Sequence, residues 1–314
     1  MEIKGLISPN ITIFDKDGKV DEKLMLWHMN WMLDNGVNGL FVTGTYGSGY
    51  LMEKEARVRV YELAKELKEK RGIFAIGHVG GCDFETSKYL TDAARDIGLD
   101  AVSSINPTDK EYSDDELLFF YDALVKEAKD MPVFAYNNPG LTGKIVNLNL
   151  LERFSDAGIK GIKDSTSDVE YAKSILEDKK LQNNGFKYIT GSTKNWDKLY
   201  KLGTDTMISG TCNYAPEYVS KLCKLSFGDA LSDVLIEDKK ANREDRIIKA
   251  LKYIDEINSA VKKGNNTVSS HVAIKARGFD AGYPKLPLEV NYDEEIDRIE
   301  NIRKAFELLK IEMV

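Results

Sequence analysis

Eight times along the chain a short run of β-type residues gives way to a longer stretch with helically spaced apolar side chains. This alternation builds a parallel sheet from successive strand–helix units. The runs start near Ile3 (IKGLIS), Asn38 (NGLFVT), Ile73 (IFAIGH), Asp100 (DAVSSI), Pro132 (PVFAYN), Ile159 (IKGIKD), Phe186 (FKYITG) and Asp205 (DTMISG). Between them, residues 21–34 carry Leu24, Trp27, Trp31 and Met32, and residues 53–70 carry Val60, Leu63, Ala64 and Leu67, at amphipathic spacing. Successive runs begin 35 to 19 residues apart, which leaves no room for an inserted domain before Gly210. Eight units in succession favour a (β/α)8 TIM barrel over an open sheet. The barrel is expected over residues 1–215. Residues 216–314 are then the closing helix and a helical extension, with helices near 216–225, 238–261 and 293–309 and a loop at 262–266. The mixed-sign run EDKKANREDR (237–246) reads as a solvated helix face.

Composition narrows the chemistry. Forty-four Lys and Arg against 51 Asp and Glu give a net charge of −7, which repels nucleic-acid phosphates and anionic membranes. No apolar run reaches the roughly 18 residues of a membrane span, and the charged pair in MEIKGLISPN falls where a secretory leader turns apolar, so a cytoplasmic protein is expected. Cys82, Cys212 and Cys223 form no CxxC pair, and His28, His78 and His271 are widely scattered. Neither a disulfide framework nor a metal site is signalled, and no metal or organic cofactor is expected. Chemistry then falls to Lys, Tyr, Thr, Asp and Glu.

In such barrels the reactive groups sit at the C-terminal ends of the strands. Those tips are Gly44-Thr45-Tyr46-Gly47-Ser48-Gly49, Tyr136-Asn137-Asn138-Pro139, Lys163-Asp164-Ser165 and Gly191-Ser192-Thr193. Lys163 ends a strand on which Ile159, Gly161 and Lys163 share a face, and small Gly161 leaves room below the lysine if that face lines the barrel. Partial burial lowers an amine's pKa and makes it a nucleophile toward a carbonyl carbon. Spacing alone also admits a surface lysine paired with Asp164. Tyr136 ends the preceding strand on the same face as Phe134, where its hydroxyl either moves protons for a carbonyl–amine adduct or is packing. GTYGSG has the order G-x-x-G-x-G, not G-x-G-x-x-G, and no acidic residue ends the next strand, so a dinucleotide is poorly supported. Its glycines suit either a tight turn or backbone N–H groups close to a substrate carboxylate, with Thr45 adding a hydroxyl. Ser192 and Thr193 suit helix N-caps, or partners for sugar hydroxyls.

Taken together, GTYGSG, YNNPGLTG and GIKDS resemble, in order and separation, the carboxylate loop, YNxPxxTG segment and Schiff-base motif of the class I pyruvate-dependent aldolases. This is the group of dihydrodipicolinate synthase and N-acetylneuraminate lyase. FVTGTYGSG, AVSSINP and RGFDAGYPKLPL are most similar to its archaeal-type 2-keto-3-deoxygluconate aldolases. The resemblance implies an imine on Lys163, proton transfer by Tyr136, a carboxylate held by Gly44, Thr45, Tyr46 and Gly47, and Gly191 and Ile208 in the pocket wall. It also implies a homotetramer. Three departures stand out. Tyr46 replaces a second Ser or Thr. Asp109 replaces the tyrosine of the synthase's proton relay, with Tyr112 nearby. Leu141 replaces the arginine that meets the carboxylate of the synthase's aldehyde substrate.

The reading is therefore an aldolase that cleaves 2-keto-3-deoxy sugar acids to pyruvate, a 2-oxo acid, and an aldehyde, with Ser192, Thr193 and Leu141 around the sugar end. The alternatives are dihydrodipicolinate synthase, N-acetylneuraminate lyase, and a non-catalytic 2-oxo acid binding protein. Were the synthase correct, Lys144 or Arg277 would have to replace the missing arginine.

Overall fold

The computed structural model describes residues 3–227 and 242–313. Eight parallel strands close a barrel in sequence order: β1 (Gly5–Ser8), β2 (Gly39–Val42), β3 (Phe74–His78), β4 (Ala101–Ile105), β5 (Val133–Asn137), β6 (Gly161–Asp164), β7 (Lys187–Thr190) and β8 (Thr206–Ile208). Each lies inside its expected run. Closure is made by β1 on β8, with Gly5 level with Thr206 and Ile7 level with Ile208. Side chains alternate across the strands as the pleat requires. Ile7, Phe41, Phe74, Ile76, Phe134, Ile189 and Ile208 fill the barrel interior. Leu6, Leu40, Val102, Val133, Ile162 and Met207 point outward into the layer shared with the helices.

That layer holds α1 (Glu22–Asp34), α2 (Lys54–Arg71), α3 (Phe84–Ile97), α4 (Asp114–Ala128), α5 (Pro139–Thr142), α6 (Leu148–Asp156), α7 (Val169–Leu176), α8 (Lys179–Asn183) and α9 (Trp196–Leu199). Their starts are set by side-chain caps that satisfy otherwise orphaned amides. Asp21, Asp83, Asn147 and Asp168 each accept from a first-turn N–H, and Ser113 with Glu116 forms a reciprocal capping box on α4.

Beyond the barrel come α10 (Pro216–Phe227), α11 (Arg243–Val261), α12 (Asn266–Ala276) and α13 (Ile296–Met313). The expected helices near 216–225 and 293–309 match α10 and α13. The one expected at 238–261 matches α11, although its first residues and half of the run at 237–246 lie outside the described residues. α12 is an element the sequence reading lacks, and the reason is burial. Thr267, Ser269, Ser270, His271, Val272, Ala273 and Ile274 are all buried, so the helix presents no polar face and no amphipathic stripe. Among the described residues no helix is long and apolar enough to cross a membrane.

All three histidines of the chain are buried. His28 donates from Nε2 to the Asn213 carbonyl (2.9 Å), and His271 from Nδ1 to the Ala281 carbonyl (2.7 Å). Burial pushes both imidazoles down to about 4, against the weaker pull of those carbonyls. His78, at the end of β3, lies well below its ordinary value through burial and then the charges of Arg57 and Lys163. Unfolded, these rings take up protons near pH 6.5; folded, they do not. The contribution of His28 and His271 is therefore complete above about pH 6.5 and is lost as pH falls toward 4. Stability should drop by about 2 kcal/mol for each of these two between pH 7 and pH 5. Urea unfolding at the two pH values checks this, and equal midpoints would contradict the buried neutral rings.

Candidate active site

The register of β5 on β6 sets Tyr136 level with Lys163. Lys163 is 5% exposed, and its Nζ stands 3.9 Å from the centroid of the Tyr136 ring and 4.1 Å from that of Phe41. No ion pair reaches it among the described residues. Asp164, the alternative partner, faces the other way and accepts hydrogen bonds from Asn137 Nδ2 (2.8 Å), Thr166 Oγ1 (2.7 Å) and Tyr188 Oη (3.0 Å). The surface-lysine reading therefore falls. Burial lowers the Lys163 amine below its ordinary value, with Tyr136 pulling the other way. The expected space beneath it is filled, because a Cβ on Gly161 would lie 2.8 Å from Cε1 of Phe134 and 2.3 Å from the Lys187 carbonyl oxygen. Gly161 makes room for the Phe134 ring, not for the lysine. Ile159 precedes the strand and packs in the outer layer.

The Tyr136 hydroxyl accepts hydrogen bonds from Asn138 Nδ2 (3.1 Å) and Ser165 Oγ (3.3 Å). Burial alone would push this phenol up. The Lys163 charge, with hydrogen bonds from Ser165, Thr45 and Asn138, outweighs burial and leaves it below the usual phenol value. Two rings brace it edge-on, His78 at 6.0 Å and Phe41 at 6.4 Å between centroids. His78 Nε2 accepts the Ile105 N–H at 3.2 Å, so the proton of the neutral ring sits on Nδ1.

The glycine-rich loop divides into two halves with different duties. Gly47 and Gly49 serve the turn: a Cβ on Gly47 would lie 3.0 Å from the Thr43 backbone, and one on Gly49 only 1.9 Å from the Thr43 carbonyl oxygen. Thr43 and Ser48 take left-handed φ values of 55° and 53° to complete it. Gly44, Thr45 and Tyr46 instead line a cavity of about 690 Å³ with Lys163, Tyr136, Leu141, Gly191 and Ser192. Three of the expected site residues stand outside that lining. Gly47 is behind the loop, Ile208 belongs to the apolar fill of the barrel, and the Thr193 carbonyl accepts the Trp196 N–H (3.2 Å). Nor do Ser192 and Thr193 cap a helix. Asn195, in the left-handed region, occupies the cap position of α9, and Ser192 Oγ accepts from the Lys194 N–H (3.0 Å).

Several contributions went unread in the sequence, among them Pro9, Tyr50, Gly81, Ile105 and Thr108. His78 lines the cavity, and so do Gly264, Asn265, Asn266 and Thr267, from the loop and first turn that lead into α12. The KKGNN segment had the polarity of a connector, and only the return of the chain to the top of the barrel gives it a place in the site. The cations considered as substitutes for the missing arginine are used elsewhere and do not line the cavity. Lys144 pairs with Asp114 (2.6 Å) and Arg277 with Glu217 (2.6 Å). Tyr112 likewise donates to Asp109 (2.9 Å) in a neighbouring groove. Among the described residues no group of three or more His, Cys, Asp or Glu is placed to hold a metal.

The dihydrodipicolinate synthetase family model matches residues 2–302. A 2-dehydro-3-deoxy-phosphogluconate/2-dehydro-3-deoxy-6-phosphogalactonate aldolase of Saccharolobus solfataricus is 26% identical over 99% of this chain and 95% of its own. A 4-hydroxy-tetrahydrodipicolinate synthase of Methanothermobacter thermautotrophicus is 26% identical over 91% of this chain and 98% of its own. Among solved structures, Escherichia coli K12 YagE in complex with pyruvate superposes with a TM-score of 0.85 at 22% identity, covering 99% of both chains.

Removing the Lys163 charge tests the electrostatics directly. In Lys163→Met, burial should dominate and the Tyr136 phenol should ionise at higher pH than in the unsubstituted protein. The tyrosinate absorbance difference against a matched Tyr136→Phe protein isolates this group. A shift to lower pH, or none, would mean that the hydrogen bonds alone hold the phenol down.

Proposed function

The chain belongs to the dihydrodipicolinate synthetase family, and from that premise we propose that it is a Schiff-base aldolase cleaving 2-keto-3-deoxy sugar acids, such as 2-keto-3-deoxygluconate, reversibly to pyruvate and an aldehyde. The observation that carries this is the buried Lys163 amine, without a carboxylate partner, set against Tyr136 at the floor of the cavity. Its lowered pKa raises the fraction present as free amine, the form that attacks the C2 carbonyl. The carbinolamine loses water as Tyr136 supplies a proton to the departing hydroxyl, which leaves the imine. Tyr136, now a phenolate, takes the proton of the C4 hydroxyl. The C3–C4 bond breaks, its electron pair enters the imine to give an enamine, and the aldehyde leaves. Protonation at C3 and hydrolysis return pyruvate and the lysine. The phenol's downward shift suits both halves of this proton exchange. The Gly44 to Tyr46 segment is assigned to the carboxylate, and Leu141, Gly191 and Ser192 to the sugar end. Metal and organic cofactors have no part in this scheme. The reading also includes a cytoplasmic homotetramer; in its support, Phe119, 68% exposed, and Phe84 flank an open groove of about 790 Å³ beside the cavity.

Trapping gives the first test. Borohydride in the presence of pyruvate should fix a reduced adduct on Lys163, located by mass spectrometry of the digest, and Tyr136→Phe should keep the fold while losing about 10²–10⁴-fold in kcat. A label on another lysine, or none, removes the mechanism. Turnover separates an aldolase from a 2-oxo acid binding protein.

The choice of aldehyde follows from Leu141. Dihydrodipicolinate synthase must hold an aldehyde that carries a carboxylate, and a site without a cation there offers that carboxylate no charge-assisted hydrogen bonds. Leu141 lines the mouth with an apolar, 53% exposed side chain, while Lys144 and Arg277 are held in other ion pairs. Cleavage of 2-keto-3-deoxygluconate should therefore exceed condensation with aspartate semialdehyde by a wide margin in kcat/KM, measured on one preparation. The reverse order would restore the synthase, and preferential cleavage of N-acetylneuraminate would select the lyase.

A further inference from the structure

His78 is the last residue of β3 and follows Phe74 and Ile76 on the face that fills the barrel, so it lines the cavity beside Lys163 and Tyr136. Its ring is fixed in place. It is 3% exposed and packs against Phe41 (5.8 Å between centroids, 48° between planes) and Tyr136 (6.0 Å, 85°). Nε2 accepts the Ile105 N–H, which leaves the proton on Nδ1. The main chain is pinned as firmly, because the His78 carbonyl accepts from Arg57 Nη2 (2.5 Å), Tyr61 Oη (2.6 Å) and Thr43 Oγ1 (3.1 Å). Arg57 is fully buried and has no carboxylate partner among the described residues; its guanidinium meets only this carbonyl and, at 3.5 Å, the Cys82 sulfur.

Held in this way, the ring keeps a donor that nothing answers. Nδ1 is buried and has no hydrogen-bond partner. An unmet buried donor is unfavourable in the resting protein, and it turns favourable where a negative charge forms beside it. Of the two rings packed on His78, only Tyr136 can carry that charge. The other charged and titratable groups around the pair are Lys163 from β6 and Tyr46 from the loop after β2, beside Tyr136, and Arg57 and Tyr61 from α2, at the His78 carbonyl. Burial, then the charges of Arg57 and Lys163, keep the imidazole neutral, so it acts as a dipole and not as a second cation.

We propose that His78 is a positioning residue for Tyr136, its fixed Nδ1–H being a preorganised dipole that the Tyr136 phenolate satisfies as it forms. The inference rests on reading Tyr136 as the group that exchanges a proton with the substrate, and it names the part of the wall that helps the phenol give that proton up. Because Ile105, Arg57, Tyr61 and Thr43 already orient the dipole, no reorganisation is needed when the charge appears.

The test compares His78→Phe, which keeps an aromatic ring and deletes the donor, with His78→Asn, whose amide N–H takes the place of Nδ1–H but leaves the ring space unfilled. A packing role ranks phenylalanine above asparagine; the proposal ranks them the other way. Tyr136 ionisation, read as tyrosinate absorbance against a matched protein that also carries Tyr136→Phe, should move to higher pH in His78→Phe and stay closer to the unsubstituted value in His78→Asn. A donor bonded directly to a developing oxyanion is worth about 10²–10³-fold, and His78 acts across a ring contact, so His78→Phe should lose about 10-fold in kcat for 2-keto-3-deoxygluconate, with a smaller change in KM. An unshifted phenol or an unchanged kcat in His78→Phe overturns the proposal. So does an asparagine variant no better than the phenylalanine variant. A further measurement needs no substitution of His78: in isotope-labelled protein the NMR signal of its Nδ1–H should move with the same midpoint as the tyrosinate absorbance, and should not do so in Tyr136→Phe. A signal that stays still across the transition overturns the proposal even where a variant fails to fold. If the unsubstituted protein neither cleaves 2-keto-3-deoxygluconate nor is trapped by pyruvate, the aldolase reading is what fails, and the coupling of His78 to Tyr136 is decided by the two titrations alone.

Discussion

Burying an amine at the end of a strand is costly unless something answers the lost hydration, and the usual answer is a carboxylate. Lys163 has none. Its neighbours are two aromatic faces at about the distance of a cation–π contact, which favour a cation only modestly, and a phenol that offers charge only when ionised. The result is an amine and a phenol whose pKa values are each drawn down from their ordinary range, one by burial and the other by the neighbouring cation. Much of the surrounding structure keeps carboxylates away from this pair. Asp164 is turned to the outer side of its strand and satisfied there by Asn137, Thr166 and Tyr188. An Asp164 without those three donors would be an unpaired buried charge next to the lysine, and the simplest relief would be an ion pair that quenches the nucleophile.

The closed barrel is what makes this arrangement rigid. Parallel register places Tyr136 and Lys163 at one level, and the apolar fill beneath them leaves no lower position for the amine. Phe134 is central to that fill. Its ring occupies the space of the absent Gly161 side chain, so the glycine two residues before the lysine acts on the floor of the site, and the lysine is supported from below by an aromatic ring. A small residue near a reactive lysine need not make the pocket larger; here it admits a neighbour that makes the pocket shallower.

How much of this was legible depends on the range over which the signal acts. The eight strands are read correctly because each is a local run with a local boundary, and Lys163 and Tyr136 fall in the cavity lining because a strand tip in this architecture has a known destination. Thr193 and Ile208, expected in the site, lie outside the cavity lining for the same reason in reverse. Residues one or two positions from a tip fall either into the cavity or behind it according to the bend of the backbone, and here Thr193 turns into the entry of α9 while Ile208 stays in the barrel. α12 was missed because a helix buried on nearly every side has no periodicity to detect. His78 was noted only as a scattered histidine, since its position beside Tyr136 depends on the pairing of β3 with β4.

The extension beyond the barrel bears on the same question of where a site ends. Thr267, in the first turn of α12, donates to the carbonyl of Tyr46 and lines the cavity, so a residue more than two hundred positions away in sequence fixes the main chain of the glycine-rich loop. That loop is tight because of Gly47 and Gly49 and open to a ligand through Gly44 to Tyr46, and neither half alone determines where the Tyr46 ring lies. Its place is set by three separate elements: the loop after β2 that carries it, α12 that holds its carbonyl, and the backbone after β8 that yields to its phenol. A motif read along the chain describes only the first of these. The specificity of a barrel with a shared reaction centre is therefore expected to vary where such distant elements meet the loop, at positions that no local pattern marks.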